Sequence, residues 1–516
     1  MRIGIMVPDL STGDAVSNDA SGMYKALELA GFEVHMFTIS GHSSTAISAL
    51  PYDQITWRLN SQDDLLIYHF CTADPYAVAI LRQLNCGVAL KYHNVTPSRF
   101  MARYSAGLTW ATKHGRSMIS EFAEIGFELF ISDSLYNQSE LTARGVSSRL
   151  CHVVAPFHQV DNLLLEEEEP GTVEYLMHSS MNILTVGRVV PNKGHINMIE
   201  GFARYMEASG VRAHFHVVGS HDGRLRVYSD ELHRIALDLN VADCISYHPL
   251  VPPNALASYY RHCDVYLTAS HHEGFCVPAI EAMAFNLPII SNAAAALPET
   301  CGDAAVYAVS AVEIGAALEA LLGDDDSREN LARRGAKRYA QNYAGRLIKQ
   351  RFLTLIDRWL EARRSPFFQA VIPEGVDWFD LPEFDAILKE TIDIHPVNFD
   401  WTLQGADRRA DLIDWILHTG RRSSAVLDRY VRSEGFKEYA ESVELPKHAA
   451  DIPTMAKMIW KFNRFIRAQY PLNDLEGVGD FLRWFWSEAI VLYELEGLLQ
   501  ESERRMLGSF RNESLI

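Results

Sequence analysis

Short apolar, β-branched runs alternate with longer helical stretches through the first two thirds of this chain, and they do so twice over. RIGIMV (2–7), EVHMFT (33–38), LLIYHF (65–70), GVALKYH (87–93) and LFISDS (129–134) form a first series. NILTVGR (182–188), HFHVVG (214–219), CISYHPL (244–250), DVYLTAS (264–270), PIISNA (288–293) and AAVYAV (304–309) form a second. Strands separated by helices pair as parallel neighbours covered on both faces, so each series predicts a doubly wound α/β sheet. Between the two, Glu166 to Glu169 followed by Pro170 and Gly171 is a like-charge run closed by two breakers. The expected division is therefore a first Rossmann-like domain over 1–165, a hinge over 166–180, a second Rossmann-like domain over 181–345 and a closing helix over 346–365. From 366 to 516 the alternation stops and six tryptophans appear (Trp378, Trp401, Trp415, Trp460, Trp484, Trp486), which reads as an appended, mainly α-helical module.

At 516 residues the chain is long enough for several cores. Its 47 Lys plus Arg against 66 Asp plus Glu give a net charge of −19, which repels a bare phosphate backbone and argues against nucleic acid as a partner. Seven cysteines, without a CxxC pair, suggest neither a disulfide framework nor a zinc site and fit a reducing cytoplasm. MRIGIMVPDL opens as a strand rather than a signal peptide, and no run of about 20 apolar residues is available to span a bilayer. The expected location is cytoplasmic, with any membrane contact peripheral at the inner face.

Ligands of doubly wound sheets sit beyond the carboxyl ends of the strands. Two such strand ends carry chemistry. In SHHEGFCVPAIEAMAFNLPIISN (270–292), Pro278 marks a helix start, so the amides of Phe275, Cys276 and Val277 are expected to face the cleft as an anion site, with Gly274 allowing close approach. Glu273 and Glu281 flank this turn and can accept hydrogen bonds from sugar hydroxyls; phosphate and sugar together suggest a nucleotide-sugar. In TVGRVVPNKGHINMI (185–199), Arg188 ends a strand and Lys193 precedes the next helix, so two cations can converge on one diphosphate and stabilise a leaving group.

EGFCVPAIE, VGRVVPNKG and SNAAAALPET resemble the signatures of the retaining glycosyltransferases of family 4, which have the GT-B fold. The resemblance covers roughly residues 1–360 and is strongest from 182 to 306. It implies that Arg188 and Lys193 bind the donor diphosphate, Glu281 the ribose, and Glu273 with the Gly274 to Val277 amides the donor sugar. His93, in KYHNVTP, resembles the first-domain histidine that contacts the donor sugar. Gly13, in LSTGDAVSNDA, corresponds to a loop that approaches the diphosphate, although that loop is less glycine-rich than in the family. Leu250 and Val251 follow the strand where the base usually lies. The implied reaction transfers a sugar from a nucleoside diphosphate to the hydroxyl of a saccharide or lipid-linked saccharide with retained configuration, in polysaccharide or glycoconjugate assembly, with neither metal nor cofactor.

Other readings compete. A nucleotide-sugar epimerase or hydrolase would use a related fold, and a catalytically silent subunit could hold a glycan-assembly complex together through 366–516. Single carboxylates near helix starts are commonly solvated caps. His271 and His272 alternate faces on a strand end and do not suggest a metal site. Asp324 and Asp326 form a formal DxD but read as turn and N-cap residues. The 454–470 stretch, with Lys457, Lys461 and Arg464 opposite apolar residues, reads first as a core-facing helix, with a membrane surface or protein partner as the alternative.

Overall fold

The computed structural model describes residues 1–125 and 127–364. The expected module over 366–516, with its tryptophans and the 454–470 helix, lies outside the described residues. Two parallel sheets organise what is described. The first contains β1 (Arg2–Met6), β2 (Glu33–Thr38), β3 (Ala49–Pro51), β4 (Leu65–Phe70), β5 (Gly87–Tyr92), β6 (Leu129–Ser132) and β7 (Cys151–Val153), in the order β3-β2-β1-β4-β5-β6-β7. The second contains β8 (Met181–Val186), β9 (Ala213–Val218), β10 (Ile245–His248), β11 (Val265–Thr268), β12 (Ile289–Ser291) and β13 (Ala305–Tyr307), in the order β10-β9-β8-β11-β12-β13.

Every strand pair is parallel. Ile3 lies between Val34 and Leu65 in the first sheet, and Ile183 faces Val265 in the second. In each sheet the strand order reverses beside the first strand, between β1 and β4 and between β8 and β11, and this switch point opens a crevice at the strands' carboxyl ends. The two central strands of the first sheet, β4 and β5, are buried along their whole length because helices cover both faces. Two short strands were not apparent from sequence. β3 and β7 have three residues each, ALP and CHV; Pro51 in the first and His152 in the second break the apolar run that marks the equally short β12 and β13.

The 166–180 stretch is not extended throughout. Glu169 N-caps a helix over Pro170–Leu176, with Pro170 in its first turn, so the acidic run and its breakers mark a helix start. The last described helix, Gly345–Arg364, returns to the first domain: Trp359 Nε1 donates to Glu128 Oε2 at 2.6 Å, and Arg363 pairs with the same carboxylate. Among the described residues no helix is long and apolar enough to cross a membrane, and all seven cysteines are free thiols.

Candidate functional site

The second-domain wall of the cleft is built where β8 and β11 end. After β8 the chain makes a short 3-10 turn, Pro191–Lys193, closed by Gly194 at φ +73°. A Cβ on Gly194 would lie 2.1 Å from the Ala269 carbonyl oxygen, so glycine is what lets this turn seat against the end of β11. That seating brings Lys193 Nζ to 2.6 Å from Glu273 Oε1, which also accepts from Ser270 Oγ at 2.8 Å. Burial works against the Lys193 ammonium, but the Glu273 carboxylate beside it holds its pKa above the usual lysine value. Arg188, by contrast, is exposed and has no ion-pair partner among the described residues.

The loop after β11 leads into the Val277–Ala284 helix, capped by Cys276 at φ +85°, a left-handed conformation unusual for a residue with a side chain. Pro278 occupies the second helical position rather than the first, one residue later than the sequence suggested. Phe275 and Cys276 are buried, and Thr300 Oγ1 donates to the Phe275 carbonyl at 2.6 Å, fixing the loop. Glu281 is oriented by Tyr260, whose hydroxyl donates to its Oε2 at 2.6 Å, and burial pushes the Glu281 pKa up. Leu250, just past β10, is 85% exposed and Val251 is half-buried. Asp324 N-caps the Asp325–Arg338 helix through the amides of Asp326 and Ser327, so the DxD is a cap.

The first-domain wall closes directly on this loop. A Cβ on Gly274 would come within 2.8 Å of the His93 carbonyl oxygen and 2.9 Å of Asn94 Cβ, so only glycine fits there. Ser134 Oγ donates to the Gly274 carbonyl at 2.7 Å, and the amides of Leu135 and Tyr136, which open the Leu135–Thr142 helix, donate to Glu299 of the other domain. Glu140, buried behind this contact, accepts from Arg116 at 2.6 Å and from Tyr92 at 3.0 Å, and lies 3.7 Å from His272 of the loop after β11. Burial opposes its charge, yet His272 and Arg116 hold its pKa down at about 2. Gly13, at φ +82°, is exposed; it precedes Asp14, which caps the Ala15–Leu29 helix.

The structure therefore brings Lys193, Glu273, Gly274 and the backbone of His93 together, with Arg188 and Glu281 on the same wall as Lys193. The His93 side chain does not face open solvent. Its Nδ1 lies 3.0 Å from Asp133 Oδ2 and its Nε2 lies 2.9 Å from His69 Nδ1, so both ring nitrogens are engaged. Asp19, His69, Lys91 and Asp133, which surround it, were not singled out from sequence. The signal was present: a lysine and a histidine inside otherwise apolar central strands need partners.

Residues 178–338 match the family described as Glycosyl transferases group 1. The second domain is similar to the group 1 glycosyl transferases. It is 32% identical over 165 residues to a D-inositol 3-phosphate glycosyltransferase of Geodermatophilus obscurus, a match covering 31% of this chain and 36% of that protein. It is 25% identical over 235 residues to the capsular polysaccharide biosynthesis glycosyltransferase CapM of Staphylococcus aureus, covering 45% and 59% respectively. The matched part thus spans between about a third and three fifths of these two relatives. The fold is GT-B. A sucrose-phosphate synthase from Thermosynechococcus elongatus superposes with a TM-score of 0.55 at 16% identity, covering 70% of this chain and all of that one. The Anabaena HepE structure with UDP and glucose superposes with a TM-score of 0.54 at 15% identity, covering 69% and 99%.

Proposed function

We propose that this chain is a group 1 glycosyltransferase that moves a sugar from a nucleoside-diphosphate-sugar to the hydroxyl of a saccharide or lipid-linked saccharide, with retained configuration, in polysaccharide or glycoconjugate assembly. The observation that carries the reading is the Lys193 ammonium held at 2.6 Å by Glu273 at the end of β11, on the wall that also presents the exposed Arg188. Arg188 and Lys193 bind the donor diphosphate and neutralise the charge that grows on it as the sugar leaves, so no divalent metal is needed there. Gly274 lets the loop seat against His93 and Asn94 of the first domain, Glu273 and the amides after it hold the donor sugar, and Glu281 accepts from the ribose. The departing phosphate oxygen takes the acceptor's proton on the same face, so no separate base is required. Engagement of both His93 nitrogens supports this reading, because His93 then has no free ring nitrogen to act as a base.

Calorimetric titration of the full chain with UDP, GDP, ADP and their sugar conjugates, repeated with Lys193→Ala, tests the proposal. Binding of one nucleotide series, weakened at least tenfold by the substitution, is expected. Absence of binding by all of them would remove the donor site.

A further inference from the structure

Three stretches of the second-domain wall meet in one buried network. Asn192 stands in the turn before Lys193, Ser270 lies in the loop after β11, and Asn292 follows β12. Each is 5% exposed or less, and buried amides and hydroxyls need partners. Asn192 Nδ2 donates to the His272 carbonyl at 3.1 Å while the Asn192 carbonyl accepts from the His271 amide at 2.8 Å, so one residue of the Lys193 turn grips two successive residues of the loop that carries Glu273. Asn292 Nδ2 donates to the Ser270 carbonyl at 3.1 Å and lies 3.4 Å from His271 Nδ1, and the Asn292 amide donates to the Thr268 carbonyl at 2.9 Å. The Ser270 and His272 carbonyls lie beyond the last residue of β11, and side chains rather than the sheet ladder satisfy them.

Ser270 completes the network at the side chain that matters. Its Oγ donates to Glu273 Oε1 at 2.8 Å, the same oxygen that takes the Lys193 ammonium at 2.6 Å, and Thr268 Oγ1 stands 3.2 Å behind it. A carboxylate can accept on both oxygens, and two donors on one of them fix which way the group turns. Among the described residues Glu273 Oε2 takes no hydrogen bond, so it is the oxygen left for a ligand hydroxyl.

We propose that Asn192, Ser270 and Asn292 are positioning residues of the transfer site: the two asparagines hold the loop after β11 in register with the Lys193 turn, and Ser270 turns Glu273 so that Oε2 is offered to the donor sugar. The role in transfer rests on the transferase reading; the holding of the loop does not. A misplacement of about 1 Å can cost about 100-fold in rate. Loss of Ser270 therefore shows in turnover, whereas the nucleoside diphosphate, held by Arg188 and Lys193 in that reading, stays bound.

Two measurements on the full chain test this. Native-state hydrogen exchange of the amides over 269–273 should speed up by about tenfold or more in Asn192→Ala and in Asn292→Ala, the scale of one lost buried hydrogen bond. Unchanged exchange in either variant would remove that asparagine. Calorimetry with whichever of UDP, GDP or ADP the wild type takes, beside turnover read as nucleoside diphosphate released from its sugar conjugate, tests Ser270. In Ser270→Ala the diphosphate should bind at full stoichiometry within about twofold of wild type while kcat falls about tenfold or more. Unchanged kcat would overturn the positioning of Glu273, and so would a loss of diphosphate binding as large as the loss of turnover, since that marks general damage to the site. A wild type that binds none of the three nucleotides would defeat the transferase reading, and the exchange rates would still decide whether the asparagines hold the loop.

Discussion

The two walls of the cleft hold charge in opposite ways. On the first-domain side, Asp19, His69, Lys91, His93 and Asp133 gather against one another in the dry interior. On the second-domain side, Arg188 is exposed and Lys193 keeps 22% of its side chain open while leaning on Glu273. Charges of the first kind are locked inside the wall; charges of the second kind stay within reach of solvent, where the proposed donor diphosphate would meet them. The same residue type, lysine, therefore has different uses on the two sides, and substituting each one separates them.

Lys91→Met should have the largest effect, costing about 3–5 kcal/mol of folding stability because it strands Asp133 and Asp19 without their ammonium; urea unfolding measures it, and a loss below about 1 kcal/mol would mean that the first wall is not charge-locked. Lys193→Ala should leave the unfolding midpoint almost in place and lower transfer by about 100- to 1,000-fold, the scale of losing one fixed stabiliser of transition-state charge. Equal stability losses in the two variants would erase the contrast.

A third prediction concerns the interior of the second domain. Burial, with Lys193 and His221 adding to it at His195 and with His214 and His248 at His216, depresses both histidines to about 3. The unfolded chain takes up these protons near 6.5, so stability is full above that pH and falls below it, by about 2 kcal/mol for each histidine at pH 5. Unfolding at pH 7.5 and pH 5 should show this, with the fall reduced in His216→Gln; a flat profile would contradict it. The smallest effect is expected for Glu299→Gln. Its carboxylate accepts from Leu135 and Tyr136 across the cleft, and weakening that cap should cost about 1 kcal/mol or less and loosen closure, read as a rise in small-angle scattering radius.

The legibility of the molecule follows the same contrast. The second wall is written in contiguous stretches, so local spacing singled out Arg188 with Lys193 and Glu273 with Glu281, while the contact between Lys193 and Glu273 comes from the fold. The first wall is assembled from residues as far apart as Asp19 and Asp133, and only the fold reveals their meeting. His93 was noticed, but its partners were not, and without them its ring was read as facing the donor rather than engaged at both nitrogens. The long central strands were plain from their apolar runs. β3 and β7 were hidden by Pro51 and His152, which break their apolar runs, and the Pro170–Leu176 helix by the habit of reading acid followed by Pro-Gly as a break rather than as a helix start.

Among the described residues the chain crosses between the domains twice, and the two crossings are stitched together. Asp161 on the outgoing segment accepts from the Tyr339 hydroxyl and the Gly345 amide on the returning one, and His158 Nε2 meets the Tyr343 carbonyl at 2.8 Å. Beyond them, Trp359 and Arg363 bolt the returning helix to Glu128. Two adjacent pins on one jamb allow a door to swing but not to slide. A cleft hinged in this way would open by rotation about the 158–161 and 339–345 segments.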